Sequence, residues 1–200
     1  MELKLLNKDE LTELYQKELC VDFPKSELKP LRAMLYLMDL GRYEPLLVLK
    51  DGKAVGYAMI WLTTNRNGAL LEYFGVLRGL RNSGLGSQIL RILQNRYGQL
   101  FGEAETPDSG SPEIDDLRRR RLAFYQRNGF RLADYECALF GVHFNCLYCG
   151  PLVDDRAVEA LHRSVYEDYF SPSHMEKYVQ IPLSPGESIH PCPEWVEEFI

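Results

Sequence analysis

The sequence predicts a mixed α/β (α+β) fold: a sheet parallel at its centre, flanked by helices, with a C-terminal helical extension. Three observations carry this. The composition of the 200 residues, 46% hydrophobic, 12% aromatic and 26% charged, is ordinary globular usage. A chain of that length buries roughly 70% of its unfolded surface without help from a metal or disulfide. Segments of strand and helix periodicity alternate in the order β-α-α-β-β-β-α-β-α-β-β. Two strand–helix–strand passages in the middle require at least one parallel, right-handed crossover.

Each element has a local cause. Glu2 to Leu6 reads as a short first strand. Asn7 followed by Glu10 has the spacing of a capping box, and Leu11, Leu14, Tyr15 and Leu19 continue at helical spacing. A break at Val21-Asp22-Phe23-Pro24 precedes a second helix over Ser26 to Leu40, with Gly41 at its C′ position. Pro45 to Lys50, Asp51-Gly52 and Lys53 to Thr63 form a hairpin, since Asp-Gly adopts positive φ at little cost. Asn65-Arg66-Asn67-Gly68 turns into the apolar strand Ala69 to Leu77. After Gly79 to Ser87, residues Ile89, Leu90, Leu93 and Tyr97 mark an amphipathic helix. Leu100 to Thr106 is the next strand, ended by Pro107-Asp108-Ser109-Gly110-Ser111-Pro112. Ile114, Leu117, Phe124 and Tyr125 mark a helix stopped at Asn128-Gly129. Arg131 to Phe140 and His143 to Leu152 pair through Gly141. The C-terminal part carries a helix with Val158, Leu161, Val165 and Tyr169, then a Pro-rich tail expected to be loosely packed or at an interface.

Charge and special residues exclude several classes. Twenty-three Lys plus Arg against 29 Asp plus Glu give a net charge of −6. Such a surface repels phosphate backbones, so no nucleic acid is expected as a partner; cationic or neutral substrates suit the field better. The N-terminus is too charged for a signal peptide, and no stretch approaches the ~20 apolar residues of a membrane span, so no membrane association and a cytoplasmic location are expected. Cys20, Cys137, Cys146, Cys149 and Cys192 are odd in number and irregularly spaced, against a disulfide framework. Cys146-Leu147-Tyr148-Cys149 imitates a metal-binding pair, but positions i and i+3 of a strand face opposite ways and no second pair exists, so no metal is expected. His143, His162, His174 and His190 are scattered and read as structural or surface residues.

The informative stretch is Arg81-Asn82-Ser83-Gly84-Leu85-Gly86-Ser87, between an apolar strand and an amphipathic helix. Glycines there let main-chain N–H groups approach a ligand, and a helix start with unpaired N–H groups attracts an anion. A nucleotide-binding Walker loop needs Lys and Ser or Thr after its second Gly, but Leu85-Gly86 follow Gly84. A dinucleotide fingerprint starting at Gly84 needs Gly or Ala where Ile89 stands. What remains is Arg-x-x-Gly-x-Gly after a strand.

In this the chain resembles the GCN5-related N-acetyltransferase (GNAT) superfamily, whose pyrophosphate loop is Gln or Arg-x-x-Gly-x-Gly or Ala. Tyr73-Phe74-Gly75-Val76 stands where that family has a bulged fourth strand. Phe124-Tyr125-Gln126-Arg127-Asn128-Gly129-Phe130 is similar to its aromatic-Tyr-x-x-x-Gly-Phe motif. The resemblance covers about residues 1–150, implying an acyl-CoA-binding domain there; residues 151–200 are expected to be a helical extension and tail packed on the same domain. It implies acetyl-CoA as co-substrate, its pyrophosphate held by Arg81, Asn82, Ser83, Gly84, Leu85, Gly86 and Ser87, and its pantetheine arm paired with main chain near Val76 and Leu77.

The chemistry sets its own demands. An amine of pKa ~10.4 is protonated at pH 7, and freeing its lone pair costs roughly 4–5 kcal/mol at 1.36 kcal/mol per unit. A buried carboxylate is the usual remedy. Glu72, Glu103 and Glu105 lie in strand segments where carboxylates are expensive unless paired or functional. Glu72 and Glu103 match the strands on which relatives place a base, and Glu105 is a weaker candidate. Tyr125 matches the family's proposed donor of a proton to the departing thiolate. The run Arg118-Arg119-Arg120-Arg121 departs from the family pattern and reads first as a solvated or carboxylate-paired helix face. The expected activity is N-acetyl transfer to a primary amine of a small molecule or peptide, by direct attack in a ternary complex, in a monomer or homodimer. The competing reading is a non-enzymatic acyl-CoA sensor or scaffold.

Overall fold

The computed structural model describes residues 1–25 and 27–191. One mixed sheet runs through it in the order β1-β2-β3-β4-β5-β7-β6-β8. Its strands are β1 (Glu2–Leu5), β2 (Tyr43–Lys50), β3 (Lys53–Leu62), β4 (Ala69–Val76), β5 (Leu100–Glu105), β6 (Arg131–Leu139), β7 (Val142–Cys149) and β8 (Val179–Gln180). The helices are α1 (Lys8–Leu14), α2 (Cys20–Asp22), α3 (Leu31–Asp39), α4 (Leu85–Tyr97), α5 (Pro112–Arg127), α6 (Asp155–Glu167) and α7 (Pro172–Tyr178). A π-helical segment, Tyr15–Leu19, joins α1 to α2. No described helix is long and apolar enough to cross a membrane.

Local chemistry explains most boundaries. Asn7 and Glu10 form the expected capping box at the start of α1. Asp51 and Gly52 both take positive φ, 52° and 74°, closing the β2–β3 hairpin with a primed turn. Gly41 follows α3 at φ 65°, and the Gly41 and Arg42 N–H groups bond back to Met38 and Leu37.

Some boundaries depart from expectation. The second helix starts at Leu31, because Pro30 holds the residue before it extended; Ser26, where the sequence reading began it, lies outside the described residues. Pro112 opens α5 instead of ending the loop, its missing N–H being harmless in a first turn. Tyr169 falls just past α6, and α7 and β8 were not foreseen. The tail up to 191 is tied down: Gln180 donates to Glu187 Oε1 at 2.7 Å and accepts from the His190 N–H at 2.9 Å. Cys192 lies outside the described residues.

The sheet separates two apolar layers. One face carries Tyr57, Trp61, Leu70 and Phe101 against Leu11, Leu14, Met34 and Leu37 of α1 and α3 and Val158 and Val165 of α6. The other carries Ile60, Leu71, Leu100 and Leu147 against Leu85, Ile89, Leu90 and Leu93 of α4, with α5 beside them. Val55 to Leu62 of β3 are all buried, as a strand covered on both faces requires. Cys146 and Cys149 fall in opposite layers, as strand alternation demands.

Position at the centre decides the rest. The single parallel pair among the described residues, β4–β5, is joined through α4 and holds only at Ala69↔Leu100 and Leu70↔Phe101. Beyond it the strands part, while β5 stays paired with β7 along its whole length. The opening between β4 and β5 is where the nominated side chains gather.

Candidate functional site

A cleft of about 670 Å³ fills that opening. Its walls include Phe74, Gly75 and Val76 of β4, Glu103 of β5, Phe124 and Tyr125 of α5, and Arg81, Asn82, Gly84, Gly86 and Ser87. It adjoins a smaller chamber of about 90 Å³, and Phe23, Glu72, Glu103 and Arg121 line both. Glu27, Phe140, Phe144 and Tyr166 line the chamber alone.

The glycine loop leaves main-chain donors unused. Gly84 stands at the N-cap of α4 with φ 75°, which an L side chain adopts only at a cost. Among the described residues, no main-chain N–H from Asn82 to Ser87 is bonded to a carbonyl of the loop or of another element. These donors lie at a helix start, a place that attracts phosphate. Gly86 fits against α5: a Cβ there would sit 3.1 Å from Phe124 Cζ.

Not every nominated residue faces the cleft. The exposed Ser83 spends its hydroxyl on Leu80 O at 2.5 Å, and Leu85 is buried. The Leu77 N–H donates to Val55 O at 3.0 Å, across to β3. By the alternation of an antiparallel ladder, Phe74 and Val76 then present their main chain to the opening. Phe74 and Val76 are thus the β4 residues whose main chain borders the opening, with Val76 O taken by Arg81, while the Leu77 N–H is bonded to β3. Arg81 is a brace: its guanidinium donates to both oxygens of Asp22 at 2.8 Å and to Val76 O at 3.1 Å. Asp22 also accepts from Tyr57 OH at 2.7 Å. Burial pushes the Asp22 carboxyl up, but Tyr57 and Arg81 outweigh it and hold it below the usual carboxylate range.

Glu72 owes its place to a bulge. β3 pairs Met59 with Tyr73 and then Ile60 with Leu71, leaving Glu72 as the extra residue. Its side chain turns toward Tyr43, Trp61 and Lys29. Tyr43 OH donates to Oε2 at 2.5 Å, and Lys29 Nζ lies 2.5 Å from Oε1 as a close ion pair without the angle of a directed hydrogen bond. Lys29 is completely buried, with its ammonium 3.4 Å from the Trp61 ring centroid. Burial pushes Glu72 up and Lys29 down, and each partner opposes the other's shift. Tyr73 OH accepts from the Lys29 N–H and donates to Glu27 O, both at 2.8 Å, so β4 pins the segment carrying Lys29.

Glu103 sits across the opening. Its Oε1 accepts from Tyr166 OH at 2.6 Å and faces His162 Nε2 at 2.7 Å. Among the described residues no donor reaches its Oε2. Glu105, by contrast, is held by Arg118 and Arg121, and Arg118 also donates to Thr106 O. The arginine run is thus carboxylate-paired at those two positions, and Glu105 is not available as a base.

Tyr125 lies on the cleft wall, its ring edge-on to Phe124 and Phe130. Burial pushes its phenol up to about 12, so the proton is in place at neutral pH. The structure therefore brings Glu72, Glu103 and Tyr125 to one opening. Sequence reasoning missed Lys29, and read Tyr166 first as a core aromatic and His162 as structural or surface. A Lys beside Pro30 and a helical Tyr carry no signal of their own, and His162 reads as structural until α6 is placed on the sheet.

Comparisons with known proteins follow this geometry. A family model described as an acetyltransferase (GNAT) domain matches residues 42–132. No curated protein matches the chain. Among solved structures, a protein assigned to the GNAT acetyltransferase family from Bacteroides thetaiotaomicron aligns with a TM-score of 0.69 at 20% identity, over 89% of this chain and 98% of that one. An aminoglycoside 6′-N-acetyltransferase complexed with coenzyme A gives 0.54 at 14% identity, over 77% and 100%. The ribosomal-protein-S18-alanine N-acetyltransferase from Escherichia coli gives 0.53 at 16%, over 76% and 96%. Likeness at such identities is a likeness of fold.

Proposed function

From the premise that the chain carries a GNAT acetyltransferase domain, the family its residues 42–132 match, we propose that it transfers an acetyl group from acetyl-CoA to a primary amine of a small molecule or peptide. One observation carries this reading. The cleft between β4 and β5 has unbonded main-chain donors at one end and two carboxylates with a neutral phenol at the other. The residues fit the donor molecule: the 82–87 amides suit its pyrophosphate, and Phe74 and Val76 suit its amide-bearing arm. Acetyl-CoA held there supplies the thioester that acylates the acceptor.

The chain's own groups then divide the work. Both oxygens of Glu72 are engaged, by Lys29 and Tyr43, whereas Glu103 keeps Oε2 free toward the chamber. Glu103 is accordingly the group that takes a proton from the acceptor ammonium, directly or through one water. Glu72 shapes the field beside it. Tyr125 offers its proton to the departing sulfur. The acceptor chamber is narrow, about 90 Å³, with aromatic walls and Glu27 at its side. Burial pushes the Glu27 carboxyl up, and no ion pair to it forms among the described residues. A slim cationic amine suits such a wall.

The test is thiol release from acetyl-CoA with an amine panel spanning kanamycin, spermidine, tyramine and an alanine-ended hexapeptide, beside calorimetry with coenzyme A. Binding of coenzyme A with amine-dependent thiol release is expected. Binding without release by any amine turns the reading to an acyl-CoA sensor; no binding ends both.

A further inference from the structure

We infer that α6, beyond the matched acetyltransferase segment, supplies the positioning residues of the transfer site: His162, steadied by Tyr135, acts with Tyr166 to fix the Glu103 carboxylate. The inference rests on the reading of Glu103 as proton acceptor.

His162 and Tyr166 are i and i+4 on α6 and so share one face. Both reach the same oxygen, Glu103 Oε1, at 2.7 and 2.6 Å. Two donors on one oxygen hold the carboxylate's rotation and leave Oε2 turned to the chamber. The second ring nitrogen of His162, Nδ1, lies 3.1 Å from Tyr135 OH. Tyr135 is brought there by a distortion of β6: pairing with β7 jumps from Leu132↔Leu147 to Glu136↔Asn145, so Ala133, Asp134 and Tyr135 stand opposite Cys146 alone. His162 is 1% exposed and Tyr166 3%. A polar chain this deep costs several kcal/mol unless every member is satisfied, and here each has a partner.

The groups facing His162 come from every neighbouring element: Glu103 from β5, Tyr135 and Cys137 from β6, Cys146 from β7, and Tyr166 from its own helix. Burial disfavours the imidazolium, but the Cys146 sulfur and the Glu103 carboxylate beside it outweigh burial and hold His162 up to about 10. A ring protonated on both nitrogens donates from Nε2 to Glu103 and from Nδ1 to Tyr135, which the 2.7 and 3.1 Å separations accommodate.

The experiment uses the full chain with Glu103→Gln, His162→Gln, His162→Phe and Tyr166→Phe, assayed by thiol release with the best amine of the panel above. His162→Phe is expected to lose about 10²-fold in kcat with KM for acetyl-CoA unchanged, because a carboxylate free to swing misplaces the acceptor. His162→Gln, which keeps one donor, recovers part of that loss. Long-range ¹H–¹⁵N spectra of the ring supply a readout independent of turnover: both nitrogens protonated at pH 7, with the pattern changed by Glu103→Gln. Wild-type kcat in His162→Phe beside an inactive Glu103→Gln overturns the inference alone. Wild-type kcat in Glu103→Gln overturns the proton-acceptor reading first. Should His162→Phe not fold, a ring with one protonated nitrogen, indifferent to Glu103→Gln, overturns the inference.

Discussion

Replacing Lys29 by Met tests the buried ion pair at the root of the site. Lys29 has no exposed surface, and its ammonium lies 2.5 Å from Glu72 Oε1 and 3.4 Å above the Trp61 ring. Met keeps most of the volume, so the change isolates the charge. Glu72 is then a buried carboxylate with only Tyr43 as donor, and breaking such a pair costs about 3–5 kcal/mol. The chain has an escape, which caps the loss: Glu72 protonates. Carrying a carboxyl of ordinary pKa ~4.3 as the neutral acid at pH 7 costs about 3.7 kcal/mol, at 1.36 kcal/mol per unit. At pH 5 the same protonation costs only about 1 kcal/mol. The sign follows from burial having already pushed Glu72 up. A carboxyl raised in the folded state favours folding below its unfolded pKa and loses that benefit as pH rises toward its folded one. Urea titrations followed by Trp fluorescence should therefore show Lys29→Met less stable by about 3–4 kcal/mol at pH 7, shrinking to about 1 at pH 5. Adding Glu72→Gln should restore stability to within about 1.5 kcal/mol of the parent, because no charge is left unpaired. A loss below about 1 kcal/mol at pH 7, or one that does not shrink on acidification, refutes the buried pair.

Two further outcomes bear on the cleft. Tyr125→Phe should lower kcat about 10²-fold, as removal of a general acid does, while calorimetry shows coenzyme A binding unchanged; because burial holds this phenol near about 12, the parent should show no alkaline fall from it below pH 10. Gly84→Val forces a β-branched side chain into φ 75° at the N-cap of α4, a strain of roughly 1–2 kcal/mol that the loop relieves by moving its amides. Coenzyme A should then bind at least about tenfold more weakly, whereas Gly186→Val, at φ 81° in the C-terminal tail, should leave that affinity alone; equal affinity in both variants would remove the 82–87 amides from the binding site.

What the sequence by itself determined was set by near neighbours. The Asn7–Glu10 box, the Asp51-Gly52 turn, the Gly41 stop and the strand–glycine loop–helix passage follow from backbone preferences over a few residues, and each stands where it was expected. The loop's unbonded amides were legible because a glycine at a helix start is a local property. Only the tertiary structure decided which carboxylate is free. Glu72, Glu103 and Glu105 look alike in one dimension; their difference lies in partners 43, 59 and 16 positions away, namely Lys29, His162 and Arg121. It also decided that Arg81 braces Asp22, and that a histidine with no local motif stands against Glu103. Partner choice for a buried charge is a long-range matter: desolvation makes a partner obligatory, but the packing of distant helices on the sheet selects it.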